Sequence, residues 1–110
     1  MRLPNGEAAI VDIEKLRDYC LSSEHPRGRH KARVFQSRLM MGPAHAEELL
    51  AALMDAARSQ EAKPGASDEY GDRYIIDFEM KRGERKGTIR SCWILRTSEN
   101  APRFVTCYVR

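Results

Sequence analysis

The side chains best suited to chemistry in this 110-residue chain lie together between Arg27 and Arg33. Five of these seven residues are basic or carry an imidazole, in the order Arg, Arg, His, Lys, Arg. Histidine can transfer a proton near neutral pH, and lysine and arginine can bind a phosphate. Metal-independent RNA cleavage requires both abilities, although a solvent-exposed helix end can have the same composition.

The distribution of charge is more informative than its sum. A formal net charge of +3 permits a polyanionic partner without requiring one. The segment from Arg27 to Arg38 contains four arginines, one lysine and one histidine but no acidic residue. A second cluster, from Lys81 to Lys86, places four cations against the single acid Glu84. The chain therefore carries two basic clusters on a nearly balanced background.

Cysteine usage and hydropathy restrict the class of protein. The three cysteines, Cys20, Cys92 and Cys107, show no Cys-x-x-Cys spacing and cannot all pair, which favours a reducing compartment. No apolar run approaches the roughly 18 residues that span a bilayer, and the first six residues lack the apolar core of a signal peptide. We expect a cytoplasmic protein with no membrane partner, unless a larger protein carries the domain to another cell.

Cofactor and metal motifs are absent from the sequence. There is no glycine-rich phosphate loop of the kind found in nucleotide-binding α/β domains, and no close pair of His and Cys residues typical of structural zinc. We therefore expect no cofactor and no metal. Asp77 and Glu79 lie two residues apart, so on a strand their side chains would share one face. That face could be a weak divalent-cation site, but a solvated or salt-bridged surface is the simpler interpretation.

Hydrophobic periodicity predicts the elements that must position the basic cluster. Helical spacing predicts three helices within residues 1–59, and a period of two predicts three strands within residues 73–110. We predict a single domain, 1–110, of the α+β class, with two to three N-terminal helices packed on one face of a three- or four-stranded antiparallel sheet. The predicted helices are 13–21, 30–39 and 44–58, the strands are 73–80, 88–96 and 104–109, and 60–72 is a mobile connection.

Eight short motifs are distributed along the chain: Leu3-Pro4-Asn5, Leu16-Arg17-Asp18-Tyr19, His25-Pro26, Gly28 to Phe35, Asp68-Glu69-Tyr70-Gly71, Asp77-Phe78, Arg90-Ser91-Cys92-Trp93-Ile94 and Pro102-Arg103-Phe104. Together these motifs resemble a bacterial family of small domains of unknown function. They extend over nearly the whole chain, and the only departures from the family pattern are mild, with Ser91 and Phe104 in place of Thr and Leu. The resemblance implies a toxin-like domain, free-standing or at the tip of a larger protein, with a companion antitoxin or immunity protein. The layout is also similar to the barnase, EndoU, colicin and RelE ribonuclease fold group.

The resemblance implies that the helix with His30 flanks a sheet surface and that RNA binds between them. His30 is the first candidate for the base or the acid. The sequence does not identify the second proton-transfer group; His25 could supply it from the preceding loop, whereas His45 is expected at an exposed helix start. The phosphate clamps would be Lys31, Arg33, Arg90 and Arg103. The remaining substrate-binding candidates are Asp77, Trp93 and Thr106.

Each of these residues also has a structural interpretation. His30 could cap its helix, Arg90 could pair with Asp77 or Glu79 across strands, and Trp93 could belong to the core instead of stacking on a base. Three functions consequently remain open. The first is an endoribonuclease toxin acting on RNA, with tRNA as one candidate; the others are a non-catalytic nucleic-acid-binding module and a small domain that binds an acidic protein partner.

Overall fold

The computed structural model describes residues 1–110, and its fold is α+β as predicted. Three helices, with short 3₁₀ turns at Gly6–Ala8 and Pro43–His45, precede a four-stranded antiparallel sheet. No helix combines the length and the apolar composition required to cross a bilayer. The helices are α1 (Ile13–Lys15, continued by a π-helical turn at Leu16–Cys20), α2 (Arg29–Leu39) and α3 (Ala46–Ser59).

The strands form a meander in which each strand pairs with the next in the chain, in the order β1-β2-β3-β4. Their bounds are Lys63–Asp68, Gly71–Arg82, Arg85–Arg96 and Arg103–Val109. The prediction of a mobile connection over 60–72 is wrong, because this segment contains β1. Every residue of β1 is exposed, so the strand is held by backbone pairing with β2 and leaves no hydrophobic signal in the sequence.

The longest hairpin joins β2 to β3 through a two-residue turn at Gly83 and Glu84. Gly83 has a φ of 61°, a left-handed conformation that glycine adopts without strain. The register that follows pairs Asp77 with Arg90 and Tyr74 with Trp93. This register places the first pair on the outer face of the sheet and the second toward the helices.

The core lies between the helices and the inner face of the sheet. It contains 22 buried residues between Leu3 and Val109, none of them from β1. Trp93 lies within it with no exposed surface; its indole N–H donates to Ser91 Oγ at 2.9 Å, and its ring packs edge-on against Phe104. Stacking on a base requires an exposed ring face, so the substrate-binding assignment of Trp93 is wrong and the core interpretation holds.

A bulge in β4 shapes the edge of the sheet next to α2. Cys92 pairs with Thr106 and Trp93 pairs with Phe104, so Val105 is an extra residue in β4 and is exposed. A bulge of this kind increases the local twist and redirects the side chains that follow it. The side chain of Thr106 meets α2 immediately beyond this bulge.

Candidate active site

The loop before α2 is fixed by a histidine and a glycine. His25 Nδ1 accepts hydrogen bonds from the backbone N–H groups of Arg27 and Gly28, both at 3.1 Å, and its ring lies edge-on to Tyr19 at 4.6 Å. A Cβ on Gly28 would lie 2.2 Å from the carbonyl oxygen of Tyr19, so this close approach requires glycine. The loop therefore sets the start of α2 against Tyr19.

Lys31 occupies the resulting junction between α2, Tyr19 and β4. Its Nζ lies 3.0 Å from Thr106 Oγ1 and 3.4 Å from the Tyr19 hydroxyl. The same ammonium lies 5.0 Å from the ring centroid of Tyr19 and 5.9 Å from that of Tyr108, within cation–π range. Lys31 is half-buried and forms no ion pair with a carboxylate. A half-buried cation without a carboxylate partner is prepared to bind an anion.

A buried thiol lies behind this ammonium. Cys20 Sγ is 3.8 Å from Thr106 Oγ1, and the thiol and backbone N–H of Cys107 also hydrogen-bond to it. The Cys107 contact, opposed by burial and assisted by Thr106 and Lys31, lowers the pKa of Cys20 to about 6. The same contact, together with burial, raises the pKa of Cys107 well above its usual value. The lowered pKa favours the thiolate form of Cys20, but the residue is too deeply buried to attack a macromolecule.

The charge on Cys20 predicts a pH-dependent contribution to stability. Its pKa is lower in the folded chain than in the unfolded one, so the contribution is complete above about pH 9 and is lost as the pH falls toward 6. We expect the destabilisation caused by Cys20→Ser to increase from pH 6 to pH 8.5, a range in which Cys107 stays protonated. Urea unfolding at several pH values measures this difference.

Cys92→Ser is the matched control for this experiment. Burial raises the pKa of Cys92, so its thiol is protonated throughout the range. Its substitution should change the free energy of unfolding equally up to about pH 8, because the Cys92 thiol of the unfolded chain begins to ionise only near pH 8.5. A pH-independent effect of Cys20→Ser would show that Cys20 is an ordinary protonated core thiol.

Asp77 and Arg90 form a fixed pair on the outer face of the sheet. Arg90 donates to both carboxylate oxygens of Asp77 at 2.9 Å, and Arg110 donates to Asp77 Oδ2 at 3.1 Å. The hydrogen bonds from Arg90 are the main reason that the pKa of Asp77 is lowered. Asp77 is thus ionised and pairs with Arg90 across the two strands, which is the structural interpretation given for Arg90 in the sequence analysis. Arg90 also hydrogen-bonds to the Tyr108 hydroxyl, which connects this pair to the surroundings of Lys31.

His30 and Lys31 open onto the same cavity, which has a volume of about 330 Å³. The imidazole of His30 is exposed and forms no hydrogen bond within the chain that would commit it to a capping role. Val34, Tyr108 and Val109 complete the lining. The cavity therefore combines a proton-transfer group, a cation and a phenol.

The structure brings Lys31, Thr106, Arg90 and Asp77 into one neighbourhood and leaves two of the other candidates outside it. Arg33 lies on the opposite flank of α2, in a separate groove. Arg103 is held by Glu99 through three hydrogen bonds of 2.8 to 3.0 Å. His45 is also engaged, since its Nδ1 accepts the backbone N–H of Gly42 before α3.

The three residues missed by sequence reasoning are Tyr19, Cys20 and Tyr108. Tyr19 and Cys20 lie on the π-helical turn, and Tyr108 is the partner of Arg90 on β4. The alternation of β4 placed Tyr108 on the same face as Thr106, which was the available signal. No sequence pattern indicated that Cys20 would lie beside the edge of β4.

The largest cleft, about 760 Å³, lies at the β2–β3 turn, outside the neighbourhood of the candidate residues. Arg82 at its wall is bonded to both carboxylate oxygens of Glu48 and to the carbonyl oxygens of Leu39 and Met40. These partners satisfy the guanidinium, so the cleft is a structural junction between α2, α3 and the sheet. No group of three or more His, Cys, Asp or Glu residues is arranged to hold a metal ion.

Comparison with known proteins gives one family and one similar structure. The family described as a domain of unknown function (DUF6883) matches residues 2–110. A chain from a solved contact-dependent growth inhibition toxin and immunity protein complex of Klebsiella pneumoniae 342 has the same fold, with a TM-score of 0.67. That match covers 96% of this chain and 97% of the other at 16% sequence identity. No curated protein matches the chain.

Proposed function

This chain belongs to the DUF6883 family, and from the geometry of its Lys31 cavity we propose that it is a toxin-type domain that cleaves RNA without a metal ion. The observation that carries the proposal is the half-buried ammonium of Lys31, which has no carboxylate partner and opens beside an exposed imidazole. A shared fold with a chain of a toxin and immunity protein complex supports the toxin part of the proposal.

In the proposed reaction, a phosphodiester binds in the cavity with a phosphoryl oxygen at Lys31. His30 accepts the proton of the ribose 2′-OH, the 2′-oxygen forms a bond to phosphorus, and the bond from phosphorus to the 5′-oxygen breaks. Tyr108 is our candidate to protonate the departing 5′-oxygen, because it lines the cavity and its ring centroid lies 5.9 Å from Lys31 Nζ. The ammonium of Lys31 stabilises the charge that develops on phosphorus. The products are a 2′,3′-cyclic phosphate and a 5′-hydroxyl.

The test is incubation of the purified protein with total RNA and tRNA in excess chelator. We expect discrete fragments with 2′,3′-cyclic phosphate ends and, for His30→Ala, a rate lower by about 100-fold or more, since general acid–base catalysis contributes on this scale. His45→Gln is the matched control, because this histidine is tied to Gly42 outside the cavity. Intact RNA with the folded wild-type protein would refute the enzyme proposal.

A second candidate is binding to a protein partner without catalysis. It is favoured by the neighbouring structure, which is a complex of two proteins. The exposed arginines of α2 would then meet an acidic surface. Intact RNA together with a stable complex between this chain and the product of a companion gene would support this candidate.

A further inference from the structure

A second groove lies on the flank of α2 that faces away from the Lys31 cavity. Its volume is about 350 Å³, its floor includes Leu21, Ala32 and Met41, and its rim carries Arg29 and Arg33. Both arginines are exposed and form no ion pair in the chain. The polar lining residues are Ser23, Gln36 and Ser37.

The lining has the chemistry of a nucleotide site. An apolar floor can contact the face of a base, a side-chain amide can hydrogen-bond its edge, and guanidinium groups bind phosphate in pairs of hydrogen bonds. Gln36 is exposed and its amide makes no side-chain hydrogen bond within the chain. The absence of any carboxylate from the lining leaves the positive charge of the rim uncompensated.

The groove and the Lys31 cavity lie on opposite flanks of α2. At 100° per residue, Arg29, Arg33 and Gln36 lie on one flank of α2 and Lys31 lies on the other, with His30 on the exposed ridge between them. A strand that places a phosphate at Lys31 and crosses this ridge reaches the groove within a few nucleotides, because a helix with its side chains is about 10–12 Å wide.

We propose that this groove is a second subsite, which binds a nucleotide flanking the scissile phosphate of single-stranded RNA through Arg29, Arg33 and Gln36. This subsite rests on the proposed function, and it specifies single-stranded RNA as the substrate. RNA long enough to cross α2 then binds more tightly than a dinucleotide, and the chain selects single strands because a base must leave the stack to enter the groove.

The experiment measures fluorescence anisotropy of labelled 2′-O-methyl RNA, a dinucleotide and a hexanucleotide, which lack the 2′-OH required for cleavage. Arg29→Ala/Arg33→Ala should weaken hexanucleotide binding by about 30-fold and reduce the slope of log Kd against log salt by about 1.4, the expected value for two lost phosphate contacts with a single strand. Dinucleotide binding should change by less than about threefold, because the dinucleotide occupies only the Lys31 cavity.

Arg17→Ala/Arg58→Ala is the matched control, since it removes the same charge from two exposed arginines outside both sites. We expect it to leave the hexanucleotide affinity within about threefold. Gln36→Ala removes no charge and should weaken only the hexanucleotide. Equal losses in the two arginine pairs, or no RNA binding by the folded wild type, would overturn the subsite.

The cleavage assay with unmodified RNA separates this inference from the proposed function. If the wild type cleaves RNA but the Arg29 and Arg33 pair behaves like the control, the subsite is wrong and the enzyme proposal stands. If the hexanucleotide binds as expected but unmodified RNA remains intact, the groove stands as an RNA-binding site and the enzyme proposal fails.

Discussion

Replacing Lys31 with alanine should lower the rate of RNA cleavage by about 100- to 1,000-fold, the usual consequence of removing one group that stabilises transition-state charge. The side chain is the only cation that reaches the cavity from α2 while contacting Thr106 and Tyr19. The loss should appear mainly in kcat, because the charge on phosphorus increases in the transition state. Single-turnover kinetics on a short RNA in chelator measures it.

Two variants control this prediction. Lys86→Ala removes the same charge from the exposed β2–β3 hairpin and should leave the rate within about twofold. Lys31→Arg keeps the charge but introduces a planar, larger group beside Thr106 and Tyr19, so we expect only partial activity. A Lys31→Ala protein that remains folded and cleaves at the wild-type rate would remove Lys31 from the mechanism.

Replacing Trp93 with alanine should lower the free energy of unfolding by about 3–5 kcal/mol, the usual cost of emptying a large buried aromatic site. The side chain has no exposed surface, packs edge-on against Phe104 and donates to Ser91 Oγ. A domain of this size has a total stability of about 5–15 kcal/mol, so the variant should approach the limit of folding.

Urea unfolding followed by circular dichroism measures this loss without relying on tryptophan fluorescence. Trp93→Phe should cost less, because it retains much of the volume, and Val105→Ala on the exposed bulge should change the stability by about 0.5 kcal/mol or less. A small effect of Trp93→Ala would contradict the assignment of this ring to the core.

The fold class could be predicted because amphipathic patterns control most of the elements. The apolar stripe of α3, including Leu49 and Leu53, and the alternation around Ile76 and Phe78 are buried as their periods indicate. Strand β1 could not be predicted, because its sequence, Lys-Pro-Gly-Ala-Ser-Asp, buries no side chain. Pro64 and Gly65 are typical of a loop, and the strand depends on backbone pairing with β2.

The candidate site was only partly predictable from the sequence. The adjacency of His30 and Lys31 is a property of the chain, so it could be recognised directly. The environment of Lys31 depends on a bulge at Val105 and on an edge N–H of β4 that meets Cys20, features set by tertiary structure. From the sequence, Arg33 was grouped with Lys31 as a phosphate clamp. The two residues are far apart around the axis of α2, so Arg33 lies on the other flank of the helix.

In a meander sheet, strand pairing needs only contacts that are local in the sequence, whereas the candidate site needs long-range contacts. Each hairpin joins strands that are adjacent in the chain, so its pairing requires only short loop closures. Contact between Lys31 and Thr106 closes a separation of 75 residues and depends on helices that precede the whole sheet. The chain can therefore form its hairpins before the cavity exists, and the arrangement of Lys31 beside Thr106 belongs only to the fully assembled domain.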